Sequence, residues 1–442
     1  MKIVVVGCTH AGTAAVVNMK ELYPESQITI YEKNDNISFL SCGIALSVSN
    51  VVTEVEKLFY NSPENLASSG IITNMKHEVL DIDFDNKKLS VKNLVSNEIF
   101  EDNYDKLVLT LGSWPIVPKF EGGDLDNIVL CKNYDHAKTI IEKSDESQNV
   151  VVIGAGYIGV ELAEAFEIKN KNITLIDAED RIMAKYLDKD FTDMAEAEFK
   201  NKGVNLVLGQ KVQKFIGTDK VNTVVTDKGE YKADLVVLCI GFAPNSKLVQ
   251  GKLDTLPNGA IIIDEYMRTS KEDVFAAGDC CVVRFNPANE NRYIPLATNA
   301  VRMGTLVARN LLNPTLKYMG TQGTSGIKIY DLNIASTGLT EEVAKNTTSL
   351  NVKSVTVVDN YRPEFMPTFE EAKLKLVYDE DTRKVVGGQI ISKIDLTQFM
   401  NTLSVAIQNE MTVEELAMTD FFFQPHFNKP WSLLNIAALK AL

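Results

Sequence analysis

Cysteine is scarce and scattered. The 442 residues hold six, at positions 8, 42, 131, 239, 280 and 281, with no CxxC pair and no spacing that suits zinc. A disulfide scaffold is therefore not expected, nor is a cysteine-built metal site; a special cysteine here should be catalytic or redox-sensing. Positive charge is also short, since 45 Lys+Arg stand against 59 Asp+Glu for a net −14, and no basic cluster stands out. That argues against nucleic acid or an anionic membrane as the main partner. No stretch approaches the roughly 18 apolar residues of a membrane span. The opening run "IVVV" is too short for a signal-peptide core and meets a glycine loop at Gly7, so a cytoplasmic location is expected. Low-complexity segments are absent. What remains is the composition of an ordinary globular protein, long enough for two to four domains at roughly 100–200 residues each.

What is present is a repeat. "KIVVVG" (2–7) and "NVVVIG" (149–154) are β-branched runs ending in glycine, the pattern of parallel strands buried on both faces. Each leads through a glycine-spaced turn into a helix-compatible segment. Each then reaches a second strand ending in an acid, "ITIYE" at Glu32 and "ITLID" at Asp177. Further on, "DKLVLTLGSWP" (105–115) and "DLVVLCIGFAP" (234–244) share an Asp, an apolar run, a Gly and a Pro at matched positions. Four landmarks in the same order predict two dinucleotide-binding units of common design. Pro115, Pro118 and Gly123 mark a linker into the second. Beyond about residue 320 the strand-like runs "GIKIYDL", "SVTVVDN", "LKLVYDE" and "VVGGQII" precede helical segments around 396–417, which reads as a separate α+β domain.

The second unit carries the full fingerprint Gly154-Ala-Gly156-Tyr157-Ile158-Gly159 between a predicted strand and helix. Its glycines permit a tight turn, close approach of pyrophosphate and helix-on-strand packing, while the helix N-terminus faces the phosphates. Asp177 is placed to accept ribose hydroxyls, and its charge would repel a 2′-phosphate, so NADH is favoured over NADPH. The first unit has a variant loop, Gly7-Cys-Thr9-His10-Ala11-Gly12, with Thr9 in the middle position and Glu32 again placed for a ribose. "DVFAAGD" (273–279) adds a strand ending at Asp279, suited to a ribityl hydroxyl. Two dinucleotide units in one chain imply electron transfer between NADH and FAD.

Together, "GCTHAG", "NISFLSCG", "GAGYIGVELAEAF", "DVFAAGD", "PLATNAVR" and "FFFQPHFNKPW" resemble the NADH oxidase / NADH peroxidase branch of the pyridine nucleotide-disulfide oxidoreductases, end to end. The resemblance implies an α/β fold with two Rossmann-like domains, the FAD domain being split by an inserted NAD domain, and a C-terminal α+β dimerisation domain. The boundaries expected are 1–115 and 245–319 for FAD, 116–244 for NAD, and 320–442 for dimerisation in a homodimer or dimer of dimers. It implies tightly bound FAD and NADH as substrate. Matched residue by residue, the redox cysteine is Cys42 and the active-site histidine His10. The other flavin contacts fall on Gly7, Thr9, Ala11, Gly12, Glu32, Val79, Thr110, Gly112 and Lys132, then on Asp279, Leu296, Ala297 and Thr298. NADH contacts fall on the fingerprint with Tyr157, and on Asp177, Tyr186, Gly241 and Gly326. Phe423 should reach the flavin from the partner subunit.

Cys42 is expected at the start of a helix, where unpaired N–H groups favour a thiolate. The dithiol reductases need a second cysteine about five residues on; "GIALSV" offers none, so a disulfide relay within this segment is excluded. A thiolate can instead take oxygen from peroxide as sulfenic acid. His10, at another helix N-terminus, is expected neutral and able to pass a proton. His426 lacks the Glu that accompanies the reductases' acid–base histidine and is not counted as catalytic; the other five cysteines are read as structural. Electron counting then gives reduction of O₂ to water by two NADH, through flavin and Cys42. An NADH peroxidase acting on H₂O₂ is the nearest rival, though such enzymes carry Arg directly after "TNA", where Val301 stands here. A coenzyme A disulfide reductase would use tyrosines where "FFFQP" has phenylalanines. A flavin redox sensor would need an output module, and none is visible.

Overall fold

A computed structural model describes residues 1–442. The repeat read from the sequence becomes two parallel five-stranded sheets. In the first, the order is Val274–Ala276, Lys106–Leu109, Lys2–Val6, Gln27–Glu32, Ile72–Met75. In the second it is Ile128–Leu130, Leu235–Leu238, Asn149–Ile153, Asn172–Ile176, Asn205–Val207. Every neighbouring pair in both is parallel. The residues predicted to be twins occupy the same place in each sheet, with Lys2–Val6 and Asn149–Ile153 at the centre. The helices His10–Leu22 and Tyr157–Ile168 leave those central strands. Strand order reverses beside each centre, and there a doubly wound sheet opens its crevice. The strand runs are buried almost throughout, as their unbroken apolar character requires.

Val274–Ala276 returns to the first sheet after the whole second sheet has been built, so the first domain is split by the second. The chain leaves and re-enters side by side: Ser113–Pro115 pairs antiparallel with Phe242–Pro244, Phe242 opposite Pro115. Each unit also carries a three-stranded antiparallel ribbon, His77–Asp83/Lys88–Asn93/Ile99–Asn103 in the first and Val212–Gly217/Val221–Thr226/Glu230–Lys232 in the second.

The last unit is an antiparallel sheet in the order Ser325–Ile329, Leu332–Gly338, Val385–Ser392, Glu371–Asp379, Val352–Asn360. Helices Gln398–Gln408 and Leu433–Leu439 cover one face. It docks on the second unit: Ile327, Ile329, Leu332, Ile334 and Ile391 belong to the same apolar core as Phe166, Phe191 and Phe199. No helix is long and apolar enough to cross a membrane.

Candidate active site

The carboxyl ends of the first sheet open into a cavity of about 490 Å³. Gly7, Thr9, His10 and Ala11 of the first loop line it, with Glu32, Val79, Thr110, Gly112, Lys132 and Asp279. The loop is tight for a geometric reason. A Cβ at Gly12 would lie 2.4 Å from the Gly7 carbonyl oxygen, and Gly7 has φ +88°. Thr110 Oγ1 donates to the same carbonyl at 2.6 Å, which fixes the turn against the neighbouring strand. Glu32 is buried and accepts from Cys8 N (2.8 Å), Asn34 N (2.9 Å) and Asn34 Nδ2 (2.7 Å). Burial pushes its carboxyl above the usual value, and the donors from Asn34 and Cys8 pull the other way.

At the far end of the cavity Asp279 is half-buried. Ser113 Oγ donates to it at 2.8 Å, and Lys132 Nζ reaches both Ser113 Oγ (2.9 Å) and Asp279 (3.4 Å). The same ammonium lies 4.5 Å from the centre of the Phe242 ring. Lys132 and Phe242 come from the second unit's side of the crossing, so this cluster ties the two units together. Leu296, Ala297 and Thr298 open the helix Ala297–Asn310, whose Ala300 also lines the cavity.

His10 opens the first helix, and its Nδ1 meets the Tyr60 hydroxyl at 3.0 Å, the two rings stacked at 6°. Burial holds the imidazole below its ordinary value; Asp279 raises it and Lys132 lowers it. The direction favours a neutral ring, with burial rather than the helix terminus as its cause. Cys42 lies in the turn Ser41–Gly43 that heads the helix Ile44–Val48, and it is solvent-exposed. The expectation of a stabilised thiolate is corrected here. Although the residue reaches solvent, its surroundings partly desolvate the sulfur and raise its pKa, its own amide lowers it, and Glu161 raises it again. The helix behind it has only five residues and so little aligned backbone to favour the charged form. That short helix packs on Tyr157–Ile168, which places the Cys42 turn one short helix away from the second unit.

In the second loop a Cβ at Gly159 would fall 1.8 Å from the Gly154 carbonyl oxygen, and Gly154 has φ +103°. Gly156 precedes the helix. Asp177 accepts from Ala155 N and from Glu179 N (2.8 Å). The Tyr157 and Tyr186 rings lie 4.5 Å apart beside Gly156, and Tyr157 OH meets Ser325 Oγ of the C-terminal unit at 2.7 Å, next to Gly326. Ile158 lies half-buried in the first turn of that helix, and Gly241 is exposed just past the strand Leu235–Leu238. Phe423 is also exposed, on a coil of the C-terminal unit, and is not among the residues lining the cavity.

Sequence reading missed Ser113, Tyr60 and Glu161. Ser113 follows Gly112 in the matched landmark and could have been found there; nothing local marks the other two. Glu161 makes no hydrogen bond or ion pair, and burial together with Glu164 pushes its carboxyl to about 7. Cys280 and Cys281 lie with sulfurs 3.7 Å apart, unbonded and buried, while His426 is an exposed partner of Gln424.

Two glycine-cradled crevices, each with a carboxylate at the end of its second strand, and a third domain docked on the second, define an oxidoreductase built on two dinucleotides. The "Pyridine nucleotide-disulphide oxidoreductase" profile matches residues 1–304, and that family's dimerisation-domain profile matches residues 324–433. The chain belongs to the pyridine nucleotide-disulphide oxidoreductases and is an FAD-dependent enzyme. It is 54% identical to an NADH oxidase of Enterococcus faecalis over 100% of this chain and 99% of that one. The solved water-forming NADH oxidase from Lactobacillus brevis, bound to NADH, superposes with a TM-score of 0.98 at 52% identity, covering 100% of this chain and 98% of that one. A coenzyme A polysulfide/persulfide reductase of Pyrococcus horikoshii is 33% identical over 99% of this chain and 97% of its own.

Proposed function

We propose that the chain is an NADH oxidase that reduces O₂ to water with two NADH, using Cys42 as its only redox cysteine. The observation that carries the reading is the isolation of that thiol. Cys42 is exposed where the two nucleotide units meet, while Cys8, Cys131, Cys280 and Cys281 are buried and Cys239 is half-buried. A dithiol relay therefore has no second member. The likeness to the Lactobacillus brevis enzyme supports water as the product.

The first crevice fits FAD. The N–H groups from Thr9 to Gly12 face the pyrophosphate, Glu32 takes the adenosine ribose, and Asp279, held by Ser113 and Lys132, takes a ribityl hydroxyl. Gly112, Val79 and Thr110 complete the walls, and Leu296, Ala297 and Thr298 stand at the start of the helix whose Ala300 lines the cavity. FAD, when bound, accepts two electrons from NADH and passes them on to the oxidant. In the second crevice Asp177 takes the adenosine ribose and excludes a 2′-phosphate, and Tyr157 and Tyr186 flank the nicotinamide with Gly241 and Gly326. Cys42 removes peroxide before it escapes: Cys–SH + H₂O₂ → Cys–SOH + H₂O, then Cys–SOH + NADH + H⁺ → Cys–SH + H₂O + NAD⁺. Because partial desolvation holds the thiol above its ordinary value, its proton must be taken up for attack, and the neutral imidazole of His10, steadied by Tyr60, is the acceptor and later the donor.

We place the units at 1–115 with 245–319, 116–244 and 320–442. The exposed Phe365, Phe422, Phe427 and Trp431 supply an apolar face for a second copy, which brings Phe423 to the partner's flavin in a cytoplasmic dimer. An oxygen electrode tests the reaction. Two NADH should be consumed per O₂ with no peroxide detected, and Cys42→Ser should give one NADH per O₂ with stoichiometric H₂O₂. One-to-one stoichiometry in the unaltered enzyme refutes water formation; turnover on H₂O₂ alone, without O₂ consumption, would make it a peroxidase. The Pyrococcus horikoshii relative favours a second reading, reduction of coenzyme A persulfide at the same cysteine, which predicts turnover on that substrate and negligible O₂ uptake.

A further inference from the structure

Between the second unit and the C-terminal sheet lies a buried polar junction that the chemistry above does not use. Asp188 ends the loop that carries Tyr186 and is 5% exposed. Its carboxylate accepts from Gln389 Nε2 at 2.7 Å and from the amides of Glu341 (3.2 Å) and Glu342 (3.1 Å), with Lys375 Nζ at 3.3 Å. In return the Asp188 amide donates to Gln389 Oε1 at 2.7 Å. Gln389, fully buried, therefore grips backbone and side chain of one residue at once, and this settles which way its amide faces. Lys375 stands directly across the strand pair from Gln389 and also binds Asp190 at 2.7 Å. At the other end of the loop Arg181 binds Glu342. The segment 181–188 is thus pinned at both ends to the C-terminal unit. Tyr186 lies between the pins, against Tyr157, which makes its own bond to Ser325.

We infer that Asp188 is a positioning residue for NADH: through the Gln389 fork the C-terminal unit holds the Tyr157–Tyr186 pair in register with the nucleotide. This rests on the reading of that pair as the wall of the NADH site. The variant Asp188→Asn keeps the shape and leaves Lys375 paired with Asp190. Its new NH₂ group, however, faces either the NH₂ of Gln389 together with the Glu341 N–H or, turned over, the Glu342 N–H, and in the first case turning the Gln389 amide only moves the clash to the Asp188 backbone N–H. One contact must fail whichever way the amides turn.

In the FAD-loaded enzyme, anaerobic flavin reduction by NADH should then show an NADH dissociation constant raised about 10-fold, one decade of affinity. The limiting rate of reduction and the FAD content should stay unchanged, and hydrogen exchange should quicken across 181–188. The double variant Asp188→Asn with Gln389→Glu restores a donor opposite each acceptor between residues 188 and 389, with Lys375 across the strand to balance the moved charge; only the Glu341 N–H, the longer of the two loop amide contacts, stays without its acceptor, so most of both readouts should recover. An unchanged dissociation constant in Asp188→Asn overturns the proposal if Tyr186→Ala does weaken NADH. If Tyr186→Ala has no effect either, the aromatic wall itself is refuted and the proposal falls with it. A double variant that folds and binds FAD yet shows no recovery also overturns it, since a loss of general stability would not be cured by exchanging donor and acceptor.

Discussion

Replacing Glu32 by Gln alters one atom's chemistry at the deepest point of the FAD cradle. The carboxylate now accepts from three N–H groups of Cys8 and Asn34, and both oxygens are engaged. An amide has a single oxygen, so its NH₂ must face Cys8 N–H or the Asn34 pair, leaving at least one buried donor unpaired. That costs about 1–3 kcal/mol, and a charged acceptor lost to a ribose hydroxyl about 1.5–3 kcal/mol more in the complex alone. Protein stability has an offset. Burial places the folded carboxyl above its usual 4.5, so the charged form opposes folding at every pH above 4.5, and a neutral amide removes that penalty. The expected result is a split: the thermal midpoint of the apo-protein shifts little, while FAD affinity falls roughly 10–150-fold. Titration of apo-protein with FAD, followed by flavin fluorescence and by bound flavin per chain after gel filtration, measures both. Unchanged FAD affinity beside a destabilised apo-protein would refute the assignment of Glu32 to the ribose and leave it as a loop brace.

Gly12→Ala places a methyl 2.4 Å from the Gly7 carbonyl oxygen and should cost about 1–3 kcal/mol of loop strain, read as apo-protein after purification with the second crevice still binding NADH. His10 and His136 both sit below the ordinary histidine value through burial, so the unfolded chain takes up their protons first as pH falls. Stability is then full above about 6.5, declines as pH drops through that value and levels off below the folded pKa; His10→Asn should show a shallower acid slope in urea midpoints across pH 5 to 8. Cys42→Ser, beyond changing the stoichiometry, should leave the rate of flavin reduction by NADH unaltered in anaerobic stopped flow, since the thiol acts after that step.

What the sequence disclosed was local. Glycines at fixed spacing, and an acid at the end of the next strand, act through neighbours a few residues away, so Gly7, Gly12, Glu32 and their twins Gly154, Gly159 and Asp177 stood in plain view. The matched landmarks were legible for the same reason, and the two sheets repeat the same strand order. The three-stranded ribbons were not anticipated, because their half-polar runs lack the unbroken apolar character that marked the central strands. Contacts made across long stretches of chain were invisible. Tyr60 reaches His10, Glu161 adds its charge to the surroundings of Cys42, and Gln389 holds Asp188 only because the sheets bring them together. The misjudged thiolate has this origin: a helix start can be read from spacing, while the desolvation and the distant carboxyl that overrule it are tertiary facts.

The pairing of Ser113–Pro115 with Phe242–Pro244 has a consequence for ancestry and engineering. A segment whose two ends lie hydrogen-bonded side by side can be added to a loop, or cut from it, without separating the host's flanking strands. The NADH-binding unit is in this sense a cassette seated in a single gap of its FAD-binding host. Exchange of 116–244 for the equivalent stretch of another dinucleotide unit is then a modular operation, with the Lys132–Ser113–Asp279 cluster and the apolar face that packs on the C-terminal sheet as the fittings that the incoming piece must reproduce.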